Sequence, residues 1–289
     1  MHYAEAKGIL SSKNVMNVYR GCTHGCIYCD SRSKCYNMTH DFEDIEVKIN
    51  APELLEKALL SKRKKCMIAT GSMCDPYIPL EESLMITRQC LEIIYKHGFG
   101  VSLITKSSRV LRDLDLFKKI NDRTKCVVTM TLTTYDEELC KIVEPNVSTT
   151  KERFEVLKIM RDNGIPTVVW LCPILPFIND TEENLRGILS YCTEAKVRGI
   201  LSFGAGMTLR DGDREYYYQM LDRHFPGLSE KYHRIYGYNY EISSLHGREL
   251  MKIMTDECKK HNILCKTGKV FDYLAEFEDK QASEQLSLF

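Results

Sequence analysis

Three cysteines near the start of the chain have a spacing suited to metal chemistry. Cys22, Cys26 and Cys29 form a CxxxCxxC pattern, and Tyr28 directly precedes the last of them. A cubane iron–sulfur cluster has four irons, and each iron takes one ligand from outside the cluster. Three thiolates leave one iron open, and an open iron can bind a small molecule and pass it an electron. The pattern therefore predicts a [4Fe-4S] cluster with a free coordination position.

Two other structures would also place cysteines at this spacing. Positions i, i+4 and i+7 share one face of a helix, so a core helix with buried thiols is one alternative. Gly21 and Gly25 disfavour it because glycine weakens a helix interior. A zinc site is the other alternative, with His24 or Cys35 as the fourth ligand. The sequence contains no second CxxC pair and no HxxxH pair to complete a regular zinc site.

The composition limits the class of protein. The 289 residues are 44% hydrophobic, which is enough for one large domain such as a (β/α) barrel of about 250 residues. Forty basic residues balance 40 acidic ones, so no overall basicity indicates constitutive nucleic-acid binding. We see no signal peptide and no apolar run of about 20 residues that would cross a membrane. Thirteen cysteines without a secretion signal predict a cytoplasmic protein whose thiols are free or bind metal.

Short apolar runs alternate with helical patterns over most of the chain. Strands are predicted over residues 14–19, 44–49, 66–71, 101–105, 126–132, 165–171 and 199–203. Helices are predicted over residues 52–63, 80–97, 108–120, 136–143, 149–162 and 181–196. This alternation is typical of parallel βαβ units. Six strand–helix repeats, counted from residue 14, predict an α/β fold, a partial (β/α)6 TIM-like barrel.

The pattern changes after residue 205, which predicts three parts. Residues 1–205 are expected to form the barrel with its cysteine loop. Residues 206–277 are expected to form a helical C-terminal extension, with helices over 213–223 and 244–261. Residues 278–289 are expected to form a flexible tail.

Ligands of such barrels gather at the C-terminal ends of the strands. Cys74 follows the second barrel strand, Lys106 follows the third, and Thr131 lies on the fourth, on the same face as Thr129 and Thr133. Each residue also has an ordinary structural explanation. Cys74 would serve as a small buried hydrophobe, Lys106 as a solvated lysine at a helix start, and Thr131 as a common β-branched strand residue.

The stretch from residue 19 to residue 29 resembles the signature of the radical S-adenosylmethionine (SAM) superfamily. The stretch GSMCDPY at 71–77 and the turn CPILPFIND at 172–180 are similar to segments of its spore photoproduct lyase-like branch. Glu144-Pro145, the helix of Arg153 and the string MTLR at 207–210 also fit that branch. The resemblance covers roughly residues 10–235.

This resemblance implies that the open iron chelates SAM and that reductive cleavage gives a 5'-deoxyadenosyl radical. It implies that SAM lies near Tyr28, Cys74, Lys106 and Thr131, with Lys106 at its carboxylate. Cys74 stands where relatives have a hydroxyl residue, so it is either a substitute SAM contact or a hydrogen-atom donor. A flavodoxin or ferredoxin would supply the electron. The branch implies a lyase that breaks a C–C bond in a DNA lesion; the sequence assigns no catalytic residue.

The last five residues are similar to the pentapeptide by which bacterial repair proteins bind the DNA sliding clamp. They are Gln285, Leu286, Ser287, Leu288 and Phe289. Such a short linear motif would dock its apolar side chains in a preformed groove. It would bring a neutral protein to DNA by tethering, which raises effective concentration without new contacts. The alternative is an apolar end that folds back on the protein's own surface.

Three functions are consistent with these patterns. The first is a radical SAM enzyme that acts on a DNA lesion. The second keeps the radical chemistry but acts on a peptide or a small metabolite, and loss of clamp binding would favour it. The third is a non-catalytic, zinc-binding protein associated with the clamp, which zinc in place of iron would favour.

Overall fold

The protein is described by a computed structural model over residues 1–280. The strands within these residues are β1 (His2–Ala4), β2 (Val15–Met16), β3 (Tyr19–Arg20), β4 (Glu46–Lys48), β5 (Met67–Thr70), β6 (Gly100–Thr105), β7 (Cys126–Thr131), β8 (Thr167–Trp170), β9 (Gly199–Leu201), β10 (Gly206–Thr208) and β11 (Glu241–Ser243). The α-helices are α1 (Ala51–Leu60), α2 (Glu81–Leu84), α3 (Ile86–Lys96), α4 (Leu114–Arg123), α5 (Glu137–Val143), α6 (Thr150–Asp162), α7 (Glu182–Glu194), α8 (Asp213–His224), α9 (Leu228–Tyr236), α10 (Gly247–Lys260) and α11 (Thr267–Ala275). Short 3-10 helices cover Asp30–Arg32, Lys34–Tyr36 and Ser108–Asp113.

The main sheet has six parallel strands in the order β2-β5-β6-β7-β8-β9. Each strand therefore lies beside the next barrel strand in the chain, with helices in the connections. All six positions of β7 are buried, as expected for a central parallel strand covered on both faces. The predicted α/β fold with a partial (β/α)6 TIM-like barrel is confirmed. Its first strand is shorter than the predicted 14–19 and spans Val15–Met16.

A second, three-stranded sheet supports the cysteine loop. The predicted strand 44–49 forms β4, but it lies between β1 and β3 instead of in the barrel. β4 runs parallel to β1 and antiparallel to β3. Gly21 follows β3 with φ +86°, and a Cβ there would lie 2.5 Å from the carbonyl oxygen of Phe42. Only glycine fits this close approach, which turns the chain into the cysteine loop.

The helix predicted over 80–97 is divided into α2 and α3. Met85 between them has φ +56°, in the left-handed region. The buried Glu81 carboxylate accepts hydrogen bonds from the amides of Thr87 (3.0 Å) and Arg88 (3.3 Å). These amides have no partner within α3, so Glu81 satisfies them and a new helix begins. The periodicity could not reveal this break because the apolar pattern continues across it.

The sequence predicted a helical extension after residue 205. Up to residue 280 the segment does contain four helices, but it also contains two strands. β10 and β11 pair as an antiparallel ribbon, and α8 and α9 connect its two strands. α10 packs against α7, and α11 packs against β9. No helix within residues 1–280 is long and apolar enough to cross a membrane.

The predicted tail is described only for its first three residues. Glu278 lies 2.9 Å from the ammonium group of buried Lys125, and the Lys280 ammonium lies 3.4 Å from the side-chain oxygen of Asn121. The clamp-like pentapeptide at 285–289 lies outside the described residues.

Candidate active site

The cysteine loop has an irregular, fixed conformation. No residue from 21 to 29 is helical, so the core-helix alternative is wrong. The Cys22 amide donates to the Phe42 carbonyl oxygen at 3.0 Å, and the Cys29 amide donates to the Cys26 carbonyl oxygen at 3.3 Å. Gly25 has φ +70° and packs beside Pro145. These contacts fix the loop, and its three cysteines line one cavity.

A cavity of about 360 Å³ lies between this loop and the C-terminal ends of the barrel strands. Every residue that the sequence assigns to the site lines it: Cys22, Cys26, Tyr28, Cys29, Cys74, Lys106 and Thr131. They come from four separate regions of the chain, which only the barrel topology brings together. Their roles as cluster and SAM ligands stay predictions.

The cysteines are not arranged for a single zinc ion. Sulfurs bound to one zinc at about 2.3 Å lie about 3.8 Å apart. Among residues 1–280, three His, Cys, Asp or Glu side chains bring ligand atoms within 4.8 Å of one another only at His2, His40 and Asp44. A four-iron cluster binds each thiolate at a different iron and accepts a wider spacing. The loop therefore fits the cluster better than zinc.

The two proposed fourth ligands for zinc differ in their surroundings. Nδ1 of His24 lies 3.5 Å from the Asp75 carboxylate and its Nε2 is buried with no hydrogen-bond partner, but within residues 1–280 no group of three ligand atoms includes this histidine. Cys35 is exposed, and its sulfur accepts from the Arg210 guanidinium at 3.3 Å. Burial alone would lower the pKa of His24, but Asp75 and Cys22 raise it above the usual value.

A buried ionic network connects the cysteine loop to the barrel. Glu144 accepts from the Tyr28 hydroxyl and, at 2.5 Å, from the Arg153 guanidinium. Arg153 also donates to the Thr131 carbonyl oxygen at 2.7 Å. The Lys106 ammonium lies 3.9 Å from Glu144. Glu144 thus links three residues that the sequence assigns to SAM.

The charges in this network stabilise one another. Burial would raise the pKa of Glu144, but Arg153 and Lys106 hold it below the usual value. Burial would lower the pKa of Lys106, but Cys26 and Glu144 raise it above the usual value. Lys106 therefore presents a permanent positive charge to the cavity, 18% exposed.

Asp75 links the C-terminal ends of the second and third barrel strands. Its carboxylate accepts from the Thr105 hydroxyl at 2.7 Å, from the Lys106 amide at 2.7 Å and from the Tyr77 amide at 2.8 Å. The neighbouring Cys74 is buried beside Cys22. Its thiol donates to the Asp75 carbonyl oxygen at 3.5 Å, and interaction with Cys22, together with burial, raises the pKa of Cys74 well above its usual value.

The cavity has further walls that the sequence left unassigned. Trp170 is the last residue of β8, Cys172 follows that strand, and Met207 comes from β10. Trp170 and Cys172 lie at a strand end, so the rule that ligands gather there would have found them. Met207 begins the MTLR string that resembles the lyase-like branch, but the sequence predicted no strand there and so did not place it at the cavity.

Comparisons with known proteins agree with this geometry. The family model described as Radical SAM superfamily matches residues 16–189. An uncharacterised protein of Methanocaldococcus jannaschii is 35% identical over 176 residues, which cover 60% of this chain and 65% of that protein. An uncharacterised protein of Mycobacterium tuberculosis is 28% identical over 233 residues, covering 78% of this chain and 68% of that protein.

A mutant of spore photoproduct lyase, with bound AdoMet and dinucleoside spore photoproduct, has a similar structure. The TM-score is 0.62 at 14% sequence identity, and the superposition covers 86% of this chain and 74% of the lyase. At this identity the similarity establishes a shared fold.

Proposed function

This chain belongs to the radical SAM superfamily, and on that premise we propose that it is a repair enzyme that acts on a DNA lesion, as a C–C bond lyase. It binds a [4Fe-4S] cluster and SAM, as the family and the AdoMet-bound lyase structure imply. The observation that carries the radical SAM chemistry is one cavity that holds three cysteines, Lys106 and Thr131 at the ends of the barrel strands.

In this proposal Cys22, Cys26 and Cys29 hold three irons of the cluster. When bound, the cluster and SAM supply a 5'-deoxyadenosyl radical. The chain's own residues orient SAM for this chemistry. Lys106 offers a cation to the SAM carboxylate, and Glu144 keeps that cation in place from behind.

The remaining predicted residues shape the SAM site. Tyr28 is held by its hydrogen bond to Glu144, which fixes the ring beside the loop cysteines. Arg153 binds the Thr131 carbonyl oxygen, so the Thr131 side chain faces the cavity from a rigid strand. Cys74 would contact SAM or donate the hydrogen atom of its thiol to a substrate radical, which would leave a thiyl radical on Cys74. Trp170 and Met207 form apolar walls, which would limit the access of water to a reactive radical.

The DNA assignment is supported by the fold shared with spore photoproduct lyase and by the clamp-like sequence at 285–289. In solution, a flavodoxin or ferredoxin would donate the electron. The chain has no net charge, so clamp tethering would compensate for weak intrinsic DNA affinity.

The experiment compares the wild-type chain with one variant on a DNA substrate under anaerobic reducing conditions. Cluster-loaded protein with SAM is incubated with oligonucleotides that carry spore photoproduct, and intact thymines are measured by mass spectrometry. We expect lesion reversal by the wild-type chain and none by Cys26→Ala. SAM cleavage without reversal would contradict the DNA assignment and favour a peptide or metabolite substrate. A chain that takes up zinc but no iron when the cluster is loaded would favour the non-catalytic alternative.

A further inference from the structure

A second cluster of metal-ligating side chains lies behind the cysteine loop. β1 places His2 opposite Glu46 of β4, and the His2 amide donates to the Ile45 carbonyl oxygen at 3.0 Å. Nδ1 of His2 lies 2.9 Å from the Asp44 carboxylate. The His2 and His40 rings meet edge to face, with 4.8 Å between centroids. Strand pairing therefore gathers two imidazoles and two carboxylates.

The orientation of His40 suits a metal ligand. Its Nδ1 lies 3.0 Å from the Asp41 carbonyl oxygen, and donating there leaves a lone pair on Nε2. Nε2 is buried, has no hydrogen-bond partner and lies 3.9 Å from the Glu46 carboxylate. Metal-binding histidines characteristically donate their other ring N–H to a carbonyl or carboxylate.

We propose that His2, His40 and Asp44, with Glu46 as a fourth ligand, bind a divalent transition-metal ion of the zinc type. One ligand atom from each of the first three lies within 4.8 Å of the others. Nitrogen and oxygen ligands of this kind suit Zn²⁺ and need no thiol. Ligand atoms around one zinc lie about 3.3 Å apart. The separations therefore need to shorten by at most about 1.5 Å on binding, which half-exposed His2 and Asp44 can accommodate.

The Asp44 carboxylate already pairs with a cation. The Met1 ammonium group is 2.8 Å from the Asp44 carboxylate, on the oxygen that does not face His2. The site is distinct from the cysteine cavity, and none of its side chains lines that cavity. It is also connected to it, because Phe42 lies between His40 and Asp44 and its carbonyl oxygen holds the Cys22 amide. A bound ion would therefore fix the segment that supports the cysteine loop.

The test uses zinc alone and the cluster-loaded full-length chain, in which the loop thiols are occupied by iron. Zinc affinity is measured by equilibrium dialysis, and the ligand shell by X-ray absorption at the zinc edge, which iron does not obscure. We expect one zinc ion per chain, with a shell of nitrogen and oxygen only. His40→Ala should weaken binding by at least about 100-fold, since even partners of metal ligands contribute about 10–100-fold. His97→Ala, at a histidine paired with Glu56 elsewhere, should leave binding unchanged.

Sulfur in the zinc shell, or unchanged affinity in His40→Ala, would overturn the proposal. If His40→Ala does not fold, Asp44→Asn and Glu46→Gln replace it, because both keep side-chain size and remove only the carboxylate charge. Unchanged zinc affinity in both would also overturn the site. None of these results depends on activity toward SAM or DNA.

Discussion

Replacing Glu144 by glutamine would remove one charge from the buried network behind the active site. Glu144 and Arg153 are both fully buried, and their side chains lie 2.5 Å apart. Glutamine keeps the shape but leaves the Arg153 cation without a counterion. Breaking a buried pair on one side costs about 3–5 kcal/mol. This is a large part of the 5–15 kcal/mol that typically separates folded and unfolded states.

The loss is measurable by anaerobic thermal unfolding. For a chain of this size, 1 kcal/mol corresponds to roughly 2–4 °C in Tm, so Glu144→Gln should lower Tm by roughly 6–20 °C. The control is Glu138→Gln, which breaks an exposed pair with Lys141. Exposed pairs contribute about 0–1 kcal/mol, so this control should change Tm by no more than about 4 °C.

A second variant separates charge from packing. Combining Glu144→Gln with Arg153→Met removes the uncompensated cation, and Tm should recover relative to Glu144→Gln alone. A Tm for Glu144→Gln within about 2 °C of wild type, the shift expected for no more than about 1 kcal/mol, would refute the reasoning. So would a double variant less stable than Glu144→Gln alone.

Three further variants test other parts of the site and fold. Lys106→Met should weaken SAM binding about 10–150-fold in equilibrium dialysis, which is the range for the loss of a hydrogen bond to a charged group. An equal loss of affinity in Lys119→Met, at an exposed lysine, would contradict a specific role of Lys106 in SAM binding. Gly71→Ala should lower the free energy of unfolding by about 2–4 kcal/mol, because Gly71 has φ +95° and a Cβ would lie 2.0 Å from the Ile104 carbonyl oxygen. Gly164→Ala should lower it less in the same thermal unfolding assay, because Gly164 has φ +71° but open space around the added Cβ. Burial raises the pKa of Asp213 to about 7. The folded state then holds this proton more tightly than the unfolded state, so the carboxyl destabilises the fold increasingly as pH rises from about 4 to about 7. Asp213→Asn should therefore raise Tm more at pH 8 than at pH 5, and an equal gain at both values, or the same trend in exposed Asp211→Asn, would contradict this.

The sequence contained the information that places the site in the fold. The spacing of Cys22, Cys26 and Cys29 is local, and the polar residues at strand ends follow from a general rule of parallel barrels. Both can be read from short stretches of chain. The barrel strands were equally clear, because continuous apolar runs mark strands that are buried on both faces.

Long-range polar contacts were not predictable in the same way. In the sequence, Glu144 stood out only as part of a stretch that resembles the lyase-like branch. Its place in the buried ionic network depends on Arg153, Tyr28 and Lys106, which contact it from other elements. The division between α2 and α3 depends on the side chain of Glu81, not on hydrophobic period. The β10–β11 ribbon is three residues per strand, too short for alternation to stand out.

In the proposed function, Cys22, Cys26 and Cys29 hold a cluster that cleaves SAM. The most direct measurement is 5'-deoxyadenosine formed by anaerobically reconstituted protein with dithionite and SAM. We expect product from the wild-type chain and from Cys66→Ala, a half-buried cysteine outside the cavity. Cys26→Ala should form none. Equal product from Cys26→Ala, or a wild-type protein that takes up no iron, would contradict the claim.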